Sequence, residues 1–502
     1  MEPLYNLLGG FSVALSYDAL FFCFVGVAVG TLVGALPGVG ALATISMLLP
    51  VTFYIDSTLA IIMLAGIFYG SQYGSSIAAI LLNIPGTSTA AVTCLDGYPM
   101  TKKGRSGQAL FLTTISSFLG GSVAIVAMMW FAPVLADLAL DFKSVDYFSV
   151  MLLALVAVSF SGGKAPLKGL LMVAVGIAFG LVGTDVTTGQ YRMTFGVLEL
   201  ADGISLVPLA MGLFGVAEII ISVHGITTAR AKITSVRLKD MMPSQQELRQ
   251  TIMPTVRGSA LGSLMGVLPG AGPTLASFLA YSTEKSISKT PERFGQGAVE
   301  GVTAPEAANN AAVQAAFIPT LSLGIPGDAV MAVLLGALLM HGITPGPQFI
   351  SSNPDMFWAL VASFWIGNVI LLVLNIPLIG IWVKMLSIPY RILYPTMLFF
   401  ICVGVYSISL SAFDVFLVII FGLLGYGMWL ARLPVVPLLL GFILGPMIEE
   451  NFRRVMLVSG SDPMAFVQSP YSLVFLLIAL AIIVLPLLTK GFSAIRARVF
   501  AP

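Results

Sequence analysis

Apolar segments of membrane-spanning length follow one another along almost the whole chain, and this leaves few folds open. A bilayer core takes about 20 apolar residues per helical crossing. Residues 11–36, 57–70, 108–136, 146–161, 166–183, 203–223, 356–383, 392–410, 412–431 and 470–489 read as such segments. Only 24 Lys and Arg and 23 Asp and Glu are spread over the 502 residues. Charged residues are thus 9% of the chain, against about 25% in soluble domains. They are too few to clothe a soluble surface of this size. Disorder is excluded as well, because it needs low hydrophobicity and high charge. The fold class is an all-α polytopic membrane protein.

Other segments are too short to cross alone: 39–50, 75–84, 273–281, 307–323, 328–340 and 433–446. They end in Pro-Gly pairs or polar clusters and read as half-helices or re-entrant hairpins. Such backbone survives at membrane depth only inside protein or beside water.

The chain also repeats itself. Residues 26–40 are GVAVGTLVGALPGVG and residues 258–272 are GSALGSLMGVLPGAG, identical at nine of 15 positions. Asn83-Ile84-Pro85-Gly86-Thr87 then matches Gly324-Ile325-Pro326-Gly327-Asp328, and Asp96-Gly97 is aligned with His341-Gly342. Three landmarks in one order define two homologous halves.

The basic residues bear on how those halves are oriented. Residues 1–101 hold no Lys or Arg, and then Lys102, Lys103 and Arg105 cluster in a loop assigned to the cytoplasm. Lys164 and Lys168 mark a second inner turn, and Arg230, Lys232, Arg237, Lys239 and Arg249 mark a third. The acidic loops around Asp137, Asp141 and Asp146, and over 184–202, are assigned outside. The loop after His341-Gly342 has no basic residue, whereas its counterpart in the first half has three. Equivalent points then lie on opposite membrane faces, the signature of inverted-topology repeats. The alternative is a parallel repeat in which one loop has lost its charges. Inversion puts the N-terminus outside and the C-terminus, with Lys490, Arg496 and Arg498, inside.

The repeated motifs carry candidate chemistry. Gly26, Gly30 and Gly34, like Gly258, Gly262 and Gly266, recur every four residues and form a flat ridge for close helix packing. Gly38 and Gly270 instead sit in the Pro37-Gly38-Val39-Gly40 and Pro269-Gly270-Ala271-Gly272 breaks. A broken helix leaves free carbonyls on one side and free N–H groups on the other. Carbonyls can hold Na⁺ and N–H groups can hold a carboxylate, unless the break is a plain surface loop. The tips at 83–89 and 322–328 are rich in hydroxyl, amide or carboxylate oxygen, which serves either helix capping or ligand contact. Glu306, Asn309 and Asn310 fall within one turn of a small-residue helix. Such groups are costly at membrane depth without a cavity or partner. Neither 1–101 nor 294–383 contains Lys or Arg. An anion bound between them must rest on helix N-termini, hydroxyls, amides and a bound cation.

Several classes fall away. Net charge is +1, so no basic field suggests nucleic acid. Cys23, Cys94 and Cys402 form no CxxC and read as packing residues, and His224 and His341 are too few for most metal sites. HExxH, P-loop and GxSxG motifs are absent, so no enzyme is expected. The start, MEPLYNLLGGF, lacks the basic n-region and cleavage site of a signal peptide.

Taken with YGSSIAAILLNIPGT (73–87), LDGYPM (95–100), APEAANN (304–310), LGIPGD (323–328), GPMIEENFRRVM (445–456) and SGSDPMAFVQSP (459–470), the paired breaks make the chain resemble the large membrane subunit of tripartite tricarboxylate transporters, the TctA type. The resemblance implies a multi-pass secondary transporter of the bacterial inner membrane for tricarboxylates such as citrate. It also implies Na⁺ or H⁺ coupling, a small TctB-type membrane subunit and a periplasmic TctC-type binding protein, with no other cofactor.

The expected organisation is a first transport core at 1–107, scaffold helices at 108–223, a cytoplasmic linker at 224–250, a second core at 251–356, and scaffold helices with the tail at 357–502. An elevator-like movement of core against scaffold is one mechanism, and a passive channel for organic anions is the other. Substrate candidates are Gly38, Val39, Gly40, Ser75, Ser76, Asn83, Pro85, Gly86, Thr87, Ser88, Gly270, Ala271, Gly272, Asn309, Asn310, Pro326 and Gly327. Na⁺ candidates are Gly38, Asn83, Gly270, Glu306, Asn310 and Asp328.

Overall fold

The fold of a computed structural model is described over residues 2–36, 40–161, 166–185, 188–224, 241–268, 272–385 and 390–499. Helices dominate, as an apolar chain must satisfy its backbone internally in lipid. Among the described residues five helices are long and apolar enough to cross a membrane: Tyr17–Ala35, Ser106–Leu140, Pro354–Asn375, Ala412–Leu430 and Val435–Val458. The only β pairing described is two residues per strand, Gly183–Thr184 against Tyr191–Arg192.

The chain forms two compact units. One comprises Met1–Asp137 and Ser205–Gly427, the other Leu138–Ile204 and Met428–Pro502. In the first unit, the ridge helix Tyr17–Ala35 lies along the central helix Ser57–Leu82. A methyl group on Gly26, Gly30 or Gly34 would stand 2.4, 2.5 or 2.0 Å from the carbonyl oxygens of Met63, Ile67 and Ser71. Only glycine permits that approach of two backbones.

The second half builds the same pair. The ridge helix Gln245–Val267 lies on the central helix Glu300–Ala315, and methyls on Gly258, Gly262 and Gly266 would fall 2.3, 2.1 and 2.4 Å from the oxygens of Ala304, Ala308 and Ala312. The two central helices are the core: Ala60–Leu81 and Gly301–Ala315 are buried throughout.

Each central helix leads to a left-handed residue at the predicted tip. Asn83 has φ 58° and caps Ser57–Leu82; Gly324 has φ 70° and caps the short continuation Phe317–Leu323. Beyond the tips run Thr93–Lys102 in the first half and Ala329–Met340 in the second. Both arms end on a glycine of positive φ, Gly104 at 75° and Gly342 at 73°. The third landmark therefore shifts. Gly342 corresponds to Gly104, while Gly97 lies inside a helix against Ile80.

Several segment boundaries differ from the hydropathy reading; 356–383, for one, is two helices, Pro354–Asn375 and Ile379–Met385. The spans 57–70 and 75–84 are one helix, Ser57–Leu82. Gly70 and Gly74 do not break it, because their missing side chains admit the Val27 and Thr31 carbonyls at 2.7 and 2.0 Å from a Cβ. The span 11–36 is two helices, Glu2–Ala14 and Tyr17–Ala35, divided where the Ser16 hydroxyl accepts from the Ala19 N–H. The segment 433–446 is part of the longer Val435–Val458.

In the second unit, Pro166–Gly180 packs on Ser144–Ser161 and Val435–Val458 by the same device, and Pro470–Val499 lies on Ser144–Ser161. A methyl on Gly176 would meet Leu438 O at 2.0 Å, and one on Gly441 would meet Val173 O at 2.4 Å. Arg192 and Arg453 pair with Glu449 and Asp185 in one network.

Candidate functional site

Both tips fold back on the ridge helix of their own half. A methyl on Gly86 would fall 1.8 Å from Gly34 O, and one on Gly327 would fall 3.3 Å from Gly266 O. The predicted breaks begin just past these points. Gly38 and Val39, and Gly270 and Ala271, lie outside the described residues. Their neighbours are described. Gly40 is extended and opens the half-helix Ala41–Thr52. Gly272, at φ 60°, opens the half-helix Gly272–Ile287.

Four chain segments converge here. A Cβ on Gly272 would lie 3.8 Å from Asp328 Cβ, so the second break stands beside the second tip. The Thr274 and Ser88 hydroxyls are 2.7 Å apart, which joins the same half-helix to the first tip. Thr87 links that tip to the first central helix: its N–H donates to Ser75 Oγ at 2.9 Å, and its hydroxyl is 2.8 Å from the same atom. The chain continues from Thr87 to Thr89 at 2.7 Å and from the Thr89 hydroxyl to Gln72 Oε1 at 2.7 Å.

The tips differ in burial and charge. Asn83, Pro85 and Ser88 are exposed, while Pro326 and Gly327 are buried. Asp328 Oδ1 accepts from the Met331 N–H at 2.9 Å, capping Ala329–Met340. Its Oδ2 is buried without a hydrogen-bond partner.

A second cluster lies deeper, where the two central helices meet. Glu306 is fully buried. Its Oε2 accepts from the Ser76 hydroxyl at 2.7 Å and from Ser117 at 3.3 Å, and its Oε1 accepts from Thr93 at 2.5 Å. Asn310 Nδ2 donates to Ser117 Oγ at 2.8 Å and to Asn309 Oδ1 at 2.5 Å. Asn309 Nδ2 and Asn310 Oδ1 are buried without partners. One turn on, Gln314 Nε2 and the Tyr73 hydroxyl reach Asn368 Oδ1, each at 3.4 Å.

The predicted residues thus divide. Ser75, Gly86, Thr87, Ser88, Gly272, Gly327 and Asp328 gather at the tips. Ser76, Glu306, Asn309 and Asn310 gather below. Asn83 turns its tip and is exposed. Sequence reasoning missed Gln72, Thr93, Ser117, Thr274, Gln314 and Asn368. The hint for Ser117 was its place in Thr113-Thr114-Ile115-Ser116-Ser117, a hydroxyl-rich stretch within an apolar span.

A third polar feature is an anchor. Asp96 is fully buried, and its Oδ1 accepts the N–H groups of Gly295, Gly297 and Ala298 at 2.9, 2.7 and 2.8 Å. Its Oδ2 accepts the Tyr281 hydroxyl at 3.0 Å. Those N–H groups precede Glu300–Ala315, where the helix dipole favours a negative charge.

The chain is 49% identical over 501 residues, covering 100% of it and 99% of the relative, to an uncharacterized 52.8 kDa protein in the TAR-I ttuC′ 3′ region of Agrobacterium vitis. A second relative from that organism, an uncharacterized protein in the TAR-II ttuC′ 3′ region, is 53% identical over 226 residues, 45% of this chain and 93% of its own length. No solved structure matches the chain. The sequence profile described as the tripartite tricarboxylate transporter TctA family matches residues 20–440, a range that holds both repeats and both clusters. This is a transporter family and not an enzyme family. On that match, and on the apolar helices, the chain is a multi-pass membrane protein belonging to the tripartite tricarboxylate transporter TctA family.

Proposed function

We propose that the chain is the membrane subunit of a cation-driven importer for tricarboxylates such as citrate, or related carboxylates, in the bacterial inner membrane. The observation that carries this reading is the Ser88–Thr274 contact between one repeat's tip and the other repeat's half-helix. Such an exchange makes one site from both repeats, as in transporters built from inverted repeats. Inversion also fits the basic residues at 102–105 and the absence of Lys and Arg at their counterparts, 340–343. The N-terminus is then periplasmic and the C-terminus cytoplasmic.

The carboxylate lies between the tips and the breaks, held by backbone N–H groups at helix starts and by the hydroxyls of Thr87, Ser88 and Thr274. No Lys or Arg occurs in 1–101 or 294–383 to clamp it. A coupling cation therefore offsets its charge. Tips and half-helices move together as an elevator-like core. A TctC-type binding protein delivers substrate from the periplasm, and a TctB-type subunit completes the membrane assembly in contact with lipid.

The test is uptake of labelled citrate, and of a panel of carboxylates, by cells bearing the complete system. Thr274→Val and Ser88→Ala should each raise the carboxylate KM about tenfold, the loss of one hydrogen bond to a charged group. Unchanged KM values in both variants would remove the site from the tips.

A further inference from the structure

We infer that Glu306, together with the hydroxyls of Ser76, Thr93 and Ser117, is a binding site for one sodium ion, separate from the carboxylate site at the tips. The inference rests on the importer reading above and adds to it the place and identity of the cation.

The first argument is charge. Glu306 is fully buried and forms no ion pair among the described residues. A bare carboxylate in a low-dielectric interior is very costly unless something compensates it. Three other buried carboxylates have structural compensation of a kind that Glu306 lacks. Glu284 holds Arg257 through two bonds of 2.7 and 2.8 Å, Asp185 holds Arg453, and Asp96 sits in backbone N–H groups at a helix start. Glu306 lies inside its helix, away from either end, and neutral hydroxyls alone contact its oxygens from other segments.

The second argument is the ligand set. Three hydroxyls from three different helices, Ser57–Leu82, Thr93–Lys102 and Ser106–Leu140, converge on one carboxylate. Each hydroxyl that donates to the carboxylate keeps at least one lone pair for a cation, Ser117 Oγ having given its other to Asn310 Nδ2. Asn310 Oδ1, one turn along, is a further buried neutral oxygen with no partner. An all-oxygen set selects a hard cation. One carboxylate balances one positive charge, and a divalent ion would leave an uncompensated charge in the interior. No group of three or more His, Cys, Asp or Glu is found among the described residues that could hold a divalent ion.

The arrangement also supplies a coupling principle. The residues come from both repeats: Ser76 and Thr93 from the first, Glu306 from the second. With sodium bound, the buried charge is neutralised and the contact between the repeats is complete. Without it, a bare charge remains at that contact. Positions 65 and 69 of the first repeat, which correspond to Glu306 and Asn310, are Ala and Tyr, so the motif occurs once.

The test uses the purified full-length chain and the reconstituted complex. Replacing choline chloride by sodium chloride should raise the thermal midpoint of the wild-type chain, and Glu306→Gln should abolish that rise. Should Glu306→Gln fail to fold, Thr93→Val and Ser117→Ala remain. Each should weaken the half-saturating sodium concentration for uptake about tenfold or more while leaving the carboxylate KM at saturating sodium unchanged. Thr274→Val should do the reverse. Sodium responses in the Glu306, Thr93 and Ser117 variants that match the wild type would overturn the site while leaving the importer intact. Wild-type uptake driven by a pH gradient and indifferent to sodium would overturn the sodium assignment. Uptake indifferent to every cation gradient would defeat the importer reading itself.

Discussion

A valine at Gly262 should prevent the chain from reaching a stable fold. Its Cβ would stand 2.1 Å from the Ala308 oxygen and 2.7 Å from the Ala308 Cα, inside any van der Waals contact. The obstruction is the backbone of a buried helix, so no rotamer change relieves it. Overpacking of a core costs about 1–3 kcal/mol even where side chains can yield. Gly34→Val should be equally damaging, since its Cβ would meet the Ser71 oxygen at 2.0 Å. Gly9 and Gly427 lie in helices with nothing near a Cβ, and alanine there should be tolerated or slightly stabilising. Yield of monodisperse protein in detergent and its thermal midpoint measure the effect. A folded Gly262→Val protein would contradict the packing of the second repeat.

Loss of the Asp96 carboxylate should be the other severe defect. In Asp96→Ala the N–H groups of Gly295, Gly297 and Ala298, and the Tyr281 hydroxyl, lose their acceptor together. Each stranded buried donor costs about 1–3 kcal/mol, reduced where water can enter. A combined loss of about 3–5 kcal/mol is expected, the range for removing one partner of a buried charged pair. Asp96→Asn keeps one carbonyl oxygen and should fall between alanine and wild type. Thermal denaturation reports the total, and amide exchange at 295–298 reports its location. Because Thr93 lies one turn before Asp96, sodium affinity should weaken in parallel with stability. An Asp96→Ala protein with wild-type exchange at these amides would show that the anchor is not needed.

Much of this architecture is legible in the sequence, for identifiable reasons. Glycines every four residues admit few interpretations in an apolar chain, and both ridges lie against a helix backbone. The tips at Asn83 and Gly324 carry residues suited to left-handed backbone, and both adopt it. Hydropathy misleads where polar residues are buried. Ser71, Gln72, Ser75 and Ser76 lower the mean over 70–76 and suggest an interruption, yet the helix runs through and turns them inward. The alignment of Asp96-Gly97 with His341-Gly342 rests on one shared glycine, and backbone geometry selects Gly104 instead.

The deep cluster shows what sequence hides. Glu306 stands out because a lone acid in an apolar stretch is unusual. Its partners do not, since Ser76 and Thr93 lie 230 and 213 residues away and serine or threonine in a membrane helix is ordinary. Thr274 is similar, 186 residues from Ser88 and marked only by its place after the second break. Both contacts depend on how the two repeats meet, which no local pattern encodes.

The most direct measurement is gradient-driven accumulation in proteoliposomes holding the chain, its small membrane partner and the binding protein loaded with labelled citrate. An inward sodium gradient should drive citrate above its equilibrium level inside, and dissipating the gradient should release the excess. Citrate that only equilibrates, at a rate indifferent to the gradient, would contradict the account and mark the protein as a passive pathway.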